Sequence, residues 1–186
     1  MLPDLMTALL ELAAEEITAC PGWDTGDLDP SQLRVLRYHG SATSMPPECA
    51  NDPGTLVGLW QWADRSDRLG QAGTRNPAQA GWPGVSIILK WVTCWPQRTF
   101  VNRQEVLRDD EWDAASARIE AVMECVARAL VCLYEPAPNS AERELLQHVG
   151  CGAFRYERAT PIGPNVNVAG VAWQCYASLI DQGSAS

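Results

Sequence analysis

From Glu111 to Tyr134 apolar residues recur in steps of three and four. Trp112, Ala115, Ile119, Val122, Met123, Val126, Leu130 and Leu133 form one wide stripe. Asp113, Glu120, Glu124 and Arg128 fall away from it, so the spacing predicts an amphipathic helix with one buried face. Asp109 or Asp110 is placed to cap its start. Pro136 and Pro138 stop it, because proline cannot continue the hydrogen-bond ladder. Just upstream the period changes to two: Val85, Ile87, Leu89 and Trp91 share one face of a strand that runs to Trp95 and Pro96. Ser86, Ile88, Lys90 and Val92 share the other, which predicts one buried and one partly covered face.

The same patterns place the remaining elements. Leu5, Leu9, Leu12, Ala13 and Ile17 mark a helix over Asp4–Ala19, with Asp4 as a cap or first-turn acid and Pro21-Gly22 as its end. Strands are expected over Gln32–Tyr38 and Thr55–Trp62, joined by a loop over Gly40–Gly54. Residues 64–84 are polar and Gly/Pro-rich without periodicity, which predicts a long hairpin tip; residues 97–110 read as a charged connector. A short helix over Ser140–Val149 has a serine at its capping position and Gly150 after its end. Gly152–Arg158 leads to a turn at Pro161–Pro164 and a last strand over Val166–Leu179, where Val171, Trp173, Cys175, Ala177 and Leu179 alternate with polar or small residues. The tail after it should fray.

Helix, three strands, two helices and two strands predict an α+β domain over 1–186. Its expected core is a mostly antiparallel sheet of about four to five strands, with the N-terminal and central helices packed on one face. The length of 186 residues suits one domain with a real core, and 46% hydrophobic with 20% charged residues is globular composition. No run approaches the roughly 20 apolar residues that span a bilayer, so no membrane partner is expected. The start lacks the positive region of a signal peptide.

A net charge of −9 argues against non-specific gripping of nucleic acid, which needs clustered cations. Lys90 is the one lysine, and the other thirteen basic residues are arginine. Eight tryptophans exceed what a single small core readily buries, so some are candidate interface anchors. The seven cysteines, at 20, 49, 94, 125, 132, 151 and 175, have neither the even number of a disulfide framework nor zinc-ribbon spacing. They are expected to pack as free thiols in a reducing cytoplasm.

Candidate chemistry is sparse. Phosphate-loop and dinucleotide fingerprints are absent. Asp24, Asp27 and Asp29 alternate as calcium ligands do, but lack the following glutamate. His148 and Cys151 are close enough in sequence to suggest a thiol–imidazole pair, with Gly150 between them. His39, the other histidine, stands in a separate element. No catalytic, cofactor or metal residue is assigned. In the 64–84 segment Arg65, Arg68 and Arg75 are balanced by Asp64 and Asp67, a pattern of a solvated loop or of one whose arginines meet acidic residues on a neighbour.

The order of Asp4–Ala19, Thr55–Trp62, Val85–Pro96, Glu111–Tyr134, Ser140–Val149 and Phe154–Leu179 resembles the tail-terminator proteins of long-tailed bacteriophages. It matches them in a β-meander with a long hairpin tip and in a final hairpin. Its Arg-, Trp- and Cys-containing texture is similar to neck proteins of phages that infect GC-rich actinobacteria. The resemblance spans nearly the whole chain in element order, without a short defining motif, and Gly40–Gly54 and Asp64–Gly84 are longer than the family pattern.

The resemblance implies a structural virion protein at the head–tail junction, assembled in the host cytoplasm into a homo-oligomeric, usually hexameric ring. It implies a tail-tube protein on one side, a head–tail connector or stopper on the other, and DNA passing through the lumen. It implies no enzyme activity and no cofactor. Arg65, Asp67, Arg68, Arg75 and Trp82 would then form the contact loop. Another neck protein, such as a connector or tail-completion protein, is the neighbouring alternative. A small cytoplasmic thiol enzyme or binding domain using Cys151 and His148 is the alternative from another class.

Overall fold

The structure is a computed structural model that describes residues 2–20, 32–39, 54–62, 84–95, 99–101, 104–106, 109–134, 136–165 and 168–179. It is an α+β fold. The elements are α1 (Leu2–Ala19), β1 (Arg34–His39), β2 (Thr55–Trp62), β3 (Gly84–Cys94), β4 (Thr99–Val101), β5 (Gln104–Val106), α2 (Asp109–Tyr134), α3 (Ala141–His148), β6 (Cys151–Asn165) and β7 (Val168–Leu179). Five strands form one sheet in the order β1-β2-β3-β7-β6, and β4 pairs with β5 in a separate two-stranded ribbon.

The apolar stripes explain how the layers meet. In α1, Leu5, Met6, Leu9, Leu10, Ala13 and Ile17 are buried. In α2 the buried positions are Ala115, Val122, Val126, Leu130 and Leu133, whereas Ile119 is only partly buried. Both helices pack on the sheet face formed by Leu56, Val85, Ile87, Leu89, Trp91, Val171, Trp173, Cys175, Ala177 and Leu179. Gly58 belongs to this face and lets α1 come close: a Cβ there would lie 2.5 Å from Met6 Cε. The alternation read in β3 and β7 therefore separates the face covered by α1 and α2 from the opposite face, on which no helix packs among the described residues.

Helix α2 runs along the sheet in a defined direction. Its first turns pack with Trp95 and Ala169, and Trp95 meets Trp112 edge to face at 5.6 Å. Farther along, the Trp173 indole N–H donates to the Met123 carbonyl at 3.2 Å. Its C-terminal turns thus lie toward the sheet end that carries Leu179 and Cys151, which are register partners. Helix α3 follows with Ser140 as N-cap, its hydroxyl accepting from the Arg143 N–H. Gly150 then turns the chain with φ +70°, a conformation that suits glycine.

Several local expectations are corrected. β1 pairs with β2 in parallel, so the first three strands are not a meander. The segment from 40 to 53 starts at one end of the sheet and finishes at the other, a span its length easily covers. The 97–110 connector contains the β4–β5 ribbon, whose three-residue strands are too short to show a period. The expected turn at Pro161–Pro164 lies inside β6, and the reversal falls between Asn165 and Val168. β6 is an outer strand, where a proline costs no inward ladder bond, and a register shift between Ile162 and Asn165 absorbs the irregularity. Finally, α2 begins at Asp109, so Asp109 and Asp110 belong to the helix rather than precede it. Among the described residues no helix is long and apolar enough to cross a membrane.

Candidate functional site

One end of the sheet gathers the features that bear on function. Trp62 closes β2 opposite Val85, Gly84 opens β3 opposite Ser178, and Cys151 opens β6 opposite Leu179. His39 ends β1 beside Trp60 at the same end. The segment 63–83 therefore leaves and re-enters the sheet here. Arg65, Asp67, Arg68, Arg75 and Trp82 all belong to that segment and lie outside the described residues. What the fold fixes is where their segment is anchored.

The anchor itself is apolar and open. Trp62 is 55% exposed, unlike Trp91 and Trp173, which lie within the core. Toward this end α2 also exposes Val131 (50%) and Tyr134 (46%), three residues apart and hence on one side of the helix. Large apolar side chains left in solvent at an end from which a long connection departs are the kind of anchors that protein interfaces use. The sequence held a partial signal for them. Tryptophan number pointed to interface anchors, but the β2 pattern did not single out Trp62, and Val131 and Tyr134 lie off the apolar stripe of α2.

The sheet face turned away from α1 and α2 has a different chemistry. Register places Val57 and Leu59 beside Lys90 and Ile88, and these beside Ala172 and Gln174. Arg158 Nε donates to Gln174 Oε1 at 3.2 Å, and the Arg155 guanidinium stands 5.8 Å from the centre of the Tyr176 ring. Arg155 also pairs with Glu157 at 2.5 Å. Arg155 and Arg158 are thus engaged by neighbours on their own sheet, while Val57 and Leu59 on the same face are buried.

Of the candidate thiol–imidazole pair, the thiol is buried and the imidazole exposed. Cys151 is buried at the start of β6, and its thiol donates to the Ala153 carbonyl at 3.3 Å. Burial pushes this thiol up from 9.0 to about 12, outweighing the opposing effect of the Ala153 contact. It is therefore held protonated at neutral pH, whereas a reactive cysteine needs the thiolate. His148 sits on the exposed last turn of α3. Cys175 is likewise buried, and desolvation followed by the charge of Glu157 raises its thiol further. No group of three His, Cys, Asp or Glu side chains able to hold a metal ion occurs among the described residues. Asp24, Asp27 and Asp29 lie outside them. The sequence matches no protein-family model and no curated protein.

Proposed function

We propose that this chain is a structural ring subunit of a long-tailed phage neck, and that it caps the tail tube as a tail terminator. The observation that carries the assignment is Trp62, an indole 55% exposed at the foot of the 63–83 connection. Val131 and Tyr134 extend open apolar surface toward the same end. An assembly protein needs such anchors, and a catalyst needs converging ionisable groups. The helical layer on one sheet face gives the anchors rigid support. A net charge of −9 per subunit also suits a channel through which DNA slides by like-charge repulsion. The protonated state of Cys151 weighs against the thiol-enzyme alternative.

Light scattering after size-exclusion chromatography, with negative-stain imaging of the protein mixed with its tube protein, tests the proposal. A closed ring seated on the tube end is expected. A strict monomer at high concentration that is also missing from purified virions overturns it. The contact loop has its own test: Arg65→Glu with Arg68→Glu should leave the fold intact and impair joining to the tube. Normal virion yield from that double variant removes the loop from the interface.

A further inference from the structure

Two cysteines far apart in sequence meet between the helices. The Cys125 thiol, in the middle of α2, points its S–H at Cys20 Sγ across 3.6 Å. Cys20 is buried and follows the last residue of α1, its backbone N–H donating to the Ile17 carbonyl at 3.3 Å. Cys125 is partly exposed on the wall of an open groove of about 450 Å³, lined also by Leu12, Glu16, Arg128, Cys132 and Leu145.

We propose that Cys20 and Cys125 are a redox pair that closes into a reversible disulfide, clasping the end of α1 to the middle of α2. The sulfurs need to approach by roughly 1.6 Å to reach bonding distance. Cys20 lies just past the helix terminus, where the chain adjusts more readily than inside a helix. The oxidant is a small disulfide of the glutathione type. The groove admits it to Cys125, whose thiolate attacks one of its sulfurs and releases the first small thiolate. Cys20, having lost its proton, then attacks the Cys125 sulfur and releases the second. The protein loses two electrons and two protons, the small disulfide gains them as two thiols, and one sulfur–sulfur bond replaces another.

The surroundings set the rate. Burial, followed by the contact with Cys20, pushes the Cys125 thiol up to about 11, with Glu16 adding to the rise and Arg128 opposing it. Closure is therefore slow at neutral pH and quickens as alkali generates thiolate. Cys132, exposed two helical turns along, lies about 10.5 Å farther along the axis and cannot bridge to Cys125 on a straight helix. The clasp is independent of the ring proposal.

The test treats native full-length protein with oxidised glutathione, blocks remaining thiols by alkylation and maps peptides by mass spectrometry. A peptide joining Cys20 to Cys125, released by dithiothreitol, is expected. Its rate of formation should rise with pH, and oxidation should raise the melting temperature of the wild type but not of Cys125→Ser. A glutathione adduct that persists on Cys125 overturns the proposal. So does a disulfide between other cysteines, or full alkylation of both Cys20 and Cys125 after oxidation. The wild-type map decides the matter even where Cys20→Ser fails to fold.

Discussion

The indole N–H of Trp173, at the centre of β7, donates to the Met123 carbonyl in the middle of α2 at 3.2 Å. This bond ties the long helix to the sheet at one height, in addition to the packing of its apolar stripe. Trp95 presents the opposite case: it is buried near the start of α2, and its Nε1 has no hydrogen-bond partner among the described residues. Trp173→Phe should therefore destabilise by about 2–4 kcal/mol, from lost volume and the lost bond. Trp95→Phe should cost clearly less, because it also removes an unsatisfied donor. Urea midpoints of the two variants measure the difference, and equal costs would deny the bond its role.

Burial grades the two charge substitutions that probe α2. Val126 is fully buried, so Val126→Asp should cost about 3–5 kcal/mol and abolish soluble expression. Ile119 sits on the same stripe but is only partly buried, between the main core and the Trp95 cluster. Its aspartate can reach water, so Ile119→Asp should yield folded protein with a reduced melting temperature. Soluble yield and circular dichroism separate the two outcomes.

Close approach makes two glycines unequal. A Cβ at Gly58 meets the flexible end of Met6, which can turn aside, whereas one at Gly170 falls 2.0 Å from the Trp91 carbonyl oxygen. Gly170→Ala must therefore displace the β3–β7 backbone and should cost about 3 kcal/mol or more, with Gly58→Ala near 1 kcal/mol. Chemical denaturation of each variant against wild type ranks them.

Alkali should weaken the fold through its buried thiols. An unfolded cysteine ionises near 9.0, whereas folded Cys151 keeps its proton to about 12. Below 9.0 both states are protonated and the thiol's contribution is fully present. As pH rises through that window the unfolded state loses its proton first, so stability falls, by at most about 1.4 kcal/mol per pH unit for this one thiol. Cys175 acts in the same direction. Urea midpoints from neutral pH to about pH 11 should decline, and Cys151→Ala should flatten part of the slope.

Periodicity made most of the architecture legible. The stripe of α2 and the alternations of β3 and β7 describe one surface seen from two sides, and each element's burial follows its own pattern. Ser140 and Gly150 bounded α3 because capping chemistry is local. What stayed hidden was relational. Nothing within Arg34–His39 tells whether it lies parallel or antiparallel to β2, because that depends on the route of the chain after His39. Pro161 and Pro164 signalled a turn because their tolerance on an outer strand is a property of the sheet. The meeting of Cys20 with Cys125 likewise exists only once two helices from opposite parts of the chain are packed. At the candidate site, tryptophan content gave a hint, but the exposure of Trp62 is a tertiary fact.

The pairing of Trp62 with Val85 has an evolutionary consequence. Register holds Trp62 against Val85, and Gly84 beside them must stay a glycine, because a Cβ there would lie 1.7 Å from the Tyr176 hydroxyl; the chain between Trp62 and Gly84 carries no such constraint from the ladder. Doubling its length would add only about 0.6 kcal/mol of closure entropy. The strands on either side stay under packing constraint, so sequence divergence should concentrate between Trp62 and Gly84.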